Sequence, residues 1–196
     1  MTRVIAGAAR GRRLAVPAGR LTRPTSDRAR EGLFGTLVAL HGPLNGACIL
    51  DLYAGSGAVG LEALSRGARR ALFVEADARA ARVIRDNIEA VRLGGAELVT
   101  DRVERLLSRG PGGPDRYDLV VADPPYAVTD DEVRGMLAAL ADGGWLVPGA
   151  VVAVERATRS GPVSWPPGYA ADRSRRYGDT TFWYGLAAGA PLAEAP

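Results

Sequence analysis

Between Ala47 and Val154, short apolar runs alternate with stretches of helical periodicity, and this alternation constrains the chain more than any other feature. Strands are expected at Cys48–Leu52, Ala71–Glu75, Leu98–Thr100, Asp118–Ala122 and Val151–Glu155, with helices over 58–66, 78–92, 103–108 and 130–140 between them. Strands separated by helices have to run parallel, with the helices on both faces, so the pattern predicts a doubly wound, Rossmann-like α/β sheet. Past Trp165-Pro166-Pro167-Gly168 the pattern changes. Two β-rich runs, Ala171–Tyr177 and Thr180–Gly185, meet at Gly178-Asp179 and predict an antiparallel hairpin closing a mostly parallel, seven-stranded sheet. Another helix is expected from Asp27, capped by Ser26, with Ala29, Leu33, Leu37 and Leu40 at helical spacing and Gly42-Pro43 as its stop.

With 196 residues, 47% of them hydrophobic, one well-filled domain is expected. We place it at 26–186, with a basic N-terminal arm or hairpin at 1–25 and a disordered Ala/Pro-rich tail at 187–196. There is no apolar run of membrane-spanning length, and no apolar core follows the Arg-rich N-terminus, so a cytoplasmic protein is expected. The single cysteine, Cys48, excludes internal disulfides, and one histidine, His41, beside one cysteine gives no transition-metal ligand set, so no metal is expected. The net charge of +3 is unevenly spread. Residues 1–30 carry eight arginines against Asp27, giving +7 and leaving −4 for the rest. A compact basic extension on a mildly acidic domain points to a nucleic-acid partner.

Two motifs carry chemistry. Asp51-Leu52-Tyr53-Ala54-Gly55-Ser56-Gly57-Ala58-Val59-Gly60 follows the first strand of the alternation and opens a helix, and Glu75 lies twenty residues beyond Gly55. The glycine spacing alone matches a dinucleotide fingerprint. Asp51 argues against it, because an acid at the strand end would oppose a pyrophosphate. S-adenosylmethionine has an ammonium group for Asp51, ribose hydroxyls for Glu75, an adenine amine for Asp101 and no phosphate. Tyr53, Ala54, Gly55, Gly57 and Ala76 complete this expected cofactor site.

The second motif, Asp123-Pro124-Pro125-Tyr126, ends the buried run Leu119-Val120-Val121-Ala122. The prolines stiffen the turn and fix the separation of an acid from an aromatic ring. Such a device suits an exocyclic amine of a nucleobase, whose lone pair is delocalised into the ring. Asp123 and the Pro124 carbonyl can accept its N–H groups while Tyr126 stacks on the base. Adenine, cytosine and guanine all remain open on these residues alone. A DNA adenine or cytosine amino-methyltransferase and a catalytically silent RNA-binding assembly factor are the alternatives.

The chain resembles the bacterial 16S rRNA guanine-N2 methyltransferases of the RsmD type over nearly its whole length. The resemblance rests on Arg3-Val4-Ile5-Ala6-Gly7 with Arg10-Gly11-Arg12-Arg13-Leu14, on Arg23-Pro24-Thr25-Ser26-Asp27-Arg28-Ala29-Arg30-Glu31, and on the closing Tyr177-Gly178-Asp179-Thr180, together with the two motifs above. It implies methyl transfer to a guanine N2 amine of 16S rRNA, within an assembled or assembling small subunit, by a protein expected to be monomeric. It also implies cofactor roles for Asp51, Gly55, Gly57, Glu75 and Asp101 and a catalytic role for Asp123–Tyr126. Arg102 departs from the small or apolar residue expected after Asp101. Arg3, Arg10, Arg12, Arg13, Arg23, Arg28 and Arg30 are the expected RNA-binding set, the last three with the alternatives of lying near the active site or pairing with Asp27 or Glu31.

Overall fold

A computed structural model describes residues 2–17, 26–113 and 116–188. Arg23 and all of the expected tail except its first two residues lie outside the described residues. In chain order the elements are β1 (Thr2–Arg3), β2 (Arg13–Leu14), α1 (Asp27–His41), β3 (Cys48–Leu52), α2 (Ala58–Ser65), β4 (Arg70–Val74), α3 (Ala78–Val91), β5 (Ala96–Val99), α4 (Val103–Leu107), β6 (Tyr117–Ala122), α5 (Asp130–Asp142), β7 (Leu146–Ala157), β8 (Tyr169–Tyr177) and β9 (Thr180–Ala187). No helix is long and apolar enough to cross a membrane among the described residues.

Seven strands form one sheet in the order β5-β4-β3-β6-β7-β9-β8. The first five are parallel to one another, and β9 and β8 are added antiparallel. The chain moves outward from β3 to β5 on one side and then returns to start again at β6. The β3/β6 pair is therefore the point at which strand order reverses, where the carboxyl ends open into a crevice. Alternation along the strands separates two cores. Ile49, Phe73, Val121 and Ala153 face α1, α2 and Phe182, whereas Leu50, Leu72, Val120 and Val152 face α5 and Trp145. Trp145 stacks on Tyr117 at 6.0 Å and donates its indole N–H to the Leu107 carbonyl.

Helix starts follow the local chemistry. Ser26 accepts the Ala29 N–H, Asp77 accepts those of Arg79 and Ala80, and Thr129 with Glu132 forms a reciprocal capping box. Observed edges differ from expectation chiefly at the margins of the sheet. β7 begins five residues early and pairs with β6 through a register shift, and β9 runs to Ala187, into the expected tail, with Ala188 N–H bonded to the Gly168 carbonyl.

The expected N-terminal extension is a small hairpin, and it is docked rather than free. Val4, Ala9 and Leu14 enter the same core as Leu33, Phe34 and Leu37 of α1. Glu62 of α2, fully buried, accepts the Ile5 and Ala6 backbone N–H groups at 2.6 and 3.0 Å and the Arg66 Nε–H at 2.7 Å. Gly7 passes so close to α2 that a Cβ there would lie 1.8 Å from the Ser65 carbonyl oxygen. Asn87 of α3 accepts from Ala15 N–H and donates to the Ala15 and Ser56 carbonyls, tying the hairpin's exit to the Gly-rich loop. A boundary at residue 25 therefore does not divide the core.

Candidate active site

The Gly-rich loop is set by β3 and the first turn of α2. Gly55 and Gly57 take φ of 61° and 75°, and Tyr53 takes φ of 59°. For a tyrosine this left-handed backbone is strained, and such strain collects where a ligand is to be held. Tyr53 is pinned by its hydroxyl, which donates to Glu104 Oε1 at 3.2 Å. Asp51 is 3% exposed and accepts the Gly60 N–H at 2.9 Å, so its carboxyl lies under the N-terminus of α2. Burial pushes it up to about 8, the Gly60 hydrogen bond pulling the other way and the nearby Glu75 adding to the rise. Glu75, also buried, accepts the Gly55 N–H at 2.8 Å and the Asp77 N–H at 2.9 Å. Ala54 and Ala76 flank these acids, half-buried and exposed respectively.

Two enclosed carboxylates beside a close-approach loop do not fit a pyrophosphate. They fit a ligand with a cationic head and vicinal hydroxyls, beside which the Asp51 carboxyl can ionise without leaving a buried charge uncompensated. Asp101 sits differently from expectation. Its Oδ1 accepts the Arg102 N–H at 2.8 Å and faces Arg105 Nε at 3.5 Å, while Oδ2 faces Arg109 Nη1 at 3.2 Å. Both oxygens are thus turned towards α4, although the two arginines are largely exposed and such pairs are weak.

The tetrapeptide follows β6 on the neighbouring strand. Asp123 N–H reaches the Leu52 carbonyl at 3.4 Å, so the β3/β6 ladder extends one residue past the strand and holds Asp123 next to the loop. Pro124 is buried, Asp123 and Pro125 are exposed, and Tyr126 is 66% exposed, the most exposed large apolar side chain among the described residues. The Arg159 guanidinium lies over the Tyr126 ring at 6.0 Å. Asp123, Pro124 and Tyr126 line a cleft with Glu155 and Arg156 from the end of β7, Ser160 from the 3-10 turn after it and Thr180 at the start of β9. The β7 side of this cleft was not anticipated. Its signal was present in Glu155, an acid ending an apolar run as Asp51, Glu75 and Asp123 do.

Of the expected RNA-binding arginines, Arg3, Arg10, Arg12, Arg13 and Arg28 are exposed. Arg3 and Arg13 are directly cross-strand on the hairpin, and Asp27, whose Oδ2 faces Arg3 Nε at 3.5 Å, offsets part of their repulsion. Arg12 also donates to the Ala90 carbonyl near the end of α3 at 2.7 Å. Arg30 is a correction. At 1% exposure it cannot meet RNA; it donates to Thr2 Oγ1, the Arg3 carbonyl and Asp27 Oδ1, clamping β1 to α1.

Residues 2–185 match the family model described as "Conserved hypothetical protein 95". Ribosomal RNA small subunit methyltransferase D of Escherichia coli strain K12 is 35% identical over 184 residues, 92% of this chain and 87% of that protein. The protein of the same name from Haemophilus influenzae is 34% identical over 78% of this chain and 77% of its own length. Among solved structures, the putative methyltransferase yhhF of Escherichia coli aligns with a TM-score of 0.82 at 31% identity, covering 96% of this chain and 98% of that one. A hypothetical protein of Thermus thermophilus aligns at 0.77 and 30% identity over 97% and 100%. A match through hairpin, sheet and both motifs alike places the chain in the ribosomal RNA small subunit methyltransferase D family.

Proposed function

We propose that this protein transfers a methyl group from S-adenosylmethionine to the exocyclic N2 amine of a guanine in 16S rRNA, on an assembled or assembling small ribosomal subunit. The observation that carries the reading is the juxtaposition, at the sheet's reversal point, of the Gly-rich loop with its enclosed acids and the Asp123–Tyr126 turn. The cofactor supplies an electrophilic methyl on a sulfonium. Asp51 takes its ammonium, Glu75 the ribose hydroxyls, and Asp101 the adenine amine once its exposed arginine partners turn aside.

On the acceptor side, Asp123 and the Pro124 carbonyl hold the amine's N–H groups and keep its lone pair directed at the methyl, while Tyr126 stacks on the base. Positioning of this kind supplies much of the rate enhancement in group transfer. The exposed arginines of the hairpin, with Arg28 of α1, neutralise phosphates and order the RNA around a nucleotide turned out of its stack. The test is to supply labelled S-adenosylmethionine with unmethylated small subunits, free rRNA and duplex DNA, and to locate the label by nuclease digestion. Label at one guanine N2 of the small subunit is expected, and Asp123→Ala should abolish it while leaving cofactor affinity within about twofold. Label in DNA, or bound cofactor with no label anywhere, would overturn the reading.

A further inference from the structure

We propose that Glu155 reads the N1–H of the target guanine and is the residue that selects guanine over other bases carrying an exocyclic amine. This rests on the guanine-N2 reading above and adds the source of its base specificity.

Strand register places the acid. Ala122 pairs with Val154, so Asp123 and Glu155 are adjacent positions on neighbouring parallel strands. Such strands run about 4.8 Å apart. Both acids continue the same alternating face, Asp123 after Leu119 and Val121, and Glu155 after Val151 and Ala153. Both also line the one cleft that contains Pro124 and Tyr126. The neighbouring cation, Arg156, has its guanidinium on the Val128 carbonyl at 3.1 Å and on Asp130 at 2.8 Å, where it braces the loop after the tetrapeptide.

A guanine whose N2 amine is held by Asp123 presents its N1–H to the next position along the Watson–Crick edge. Two adjacent acceptors match two adjacent donors. Adenine and cytosine place an unprotonated ring nitrogen beside their amine instead, and an ionised carboxylate is an acceptor only. Either base would set acceptor against acceptor in the cleft and leave both without a proton. Sites built to bond a particular polar group reject analogues lacking it far more strongly than apolar pockets distinguish shapes. The Asp-Pro-Pro-Tyr turn leaves the base open; an acid at position 155 closes that choice.

The experiment compares guanine with 2-aminopurine at the labelled nucleotide, in small-subunit particles reconstituted with ligated rRNA. 2-Aminopurine keeps the amine but has an unprotonated N1. The wild-type protein should prefer guanine in kcat/KM by on the order of a hundredfold or more. In Glu155→Gln, whose amide can donate to N1, that ratio should fall below about tenfold, with cofactor affinity and melting temperature unchanged. Glu155→Ala, which removes the acceptor without adding a donor, should lose guanine turnover selectively. A guanine preference unchanged in Glu155→Gln, or an equal loss on both bases in Glu155→Ala, overturns the proposal while leaving the methyltransferase reading intact. No guanine label from the wild-type protein would overturn the function itself.

Discussion

Asp51 shows how one residue carries both a cost and a use. Its carboxyl, raised by burial from 3.8 to about 8, keeps a proton in the folded state that the unfolded chain has already released. The stability associated with that proton is complete below pH 3.8 and is lost as pH rises towards 8, with a limiting slope of about 1.4 kcal/mol per pH unit. A cationic ligand head beside Asp51 favours the ionised form, so ligand binding expels the proton and tightens as pH rises. Between about pH 6 and 7.5, affinity for S-adenosylmethionine should rise by up to about thirtyfold, a limit of roughly tenfold per unit. Asp51→Asn retains an acceptor for the Gly60 N–H but cannot ionise. It should flatten both profiles, raise the melting temperature of the cofactor-free protein at about pH 8 and weaken binding; calorimetry across that pH range measures all three. Asp51 was legible in the sequence because an acid ending an apolar run contradicts a phosphate loop. Its hydrogen bond to Gly60 was not, since it depends on how the loop folds back onto α2.

At the scale of elements, the central strands were legible because their apolar runs are sharply bounded. β3 was expected and found at Cys48–Leu52. Edge and long strands were less so. β5 is only half-buried, and β7 passes Pro148-Gly149 through a register shift that no alternation pattern encodes. The N-terminal segment was expected as a short hairpin or extended arm, but its docking was not legible, because the groups that dock it, Glu62, Ser65 and Asn87, lie more than fifty residues away along the chain. Arg30 belongs to this anchoring. Burial lowers the pKa of its guanidinium, while Asp27 opposes that shift and keeps the cation in place. Arg30→Ala removes bonds to Thr2 Oγ1, the Arg3 carbonyl and Asp27, at a cost on the order of 3 kcal/mol. Because the sheet does not depend on those bonds, the loss should be local. Hydrogen exchange should accelerate at Val4, Gly11 and Arg12, whose amides bond within the hairpin, while the amides of β3 and β6 keep their protection.

The whole molecule separates two kinds of charge. Glu75, Asp51, Asp123 and Glu155 occur at the carboxyl ends of four adjacent strands, β4, β3, β6 and β7, and form an acidic wall suited to a cationic donor and to the N–H groups of a base. Of the arginines expected to bind RNA, Arg3, Arg10, Arg12 and Arg13 are exposed on the hairpin, away from that wall in sequence but fastened to it through Asn87 and Ser56. RNA affinity and cofactor affinity should therefore respond to different substitutions. Arg10→Ala and Arg13→Ala remove exposed cations from the outer surface of the hairpin, and each should reduce the slope of log affinity against log salt by about 0.7–0.9 for a lost phosphate contact. Cofactor affinity should be unchanged in both. Arg12→Ala differs, because that side chain also bonds the Ala90 carbonyl of α3, the helix from which Asn87 holds the Gly-rich loop. It should lower the salt slope to the same degree and, in addition, loosen the hairpin against α3. Filter binding of labelled small subunits over a salt series, paired with cofactor titrations, separates these outcomes. An unchanged salt slope in both Arg10→Ala and Arg13→Ala would remove the hairpin from the RNA interface and leave it a structural element of the domain.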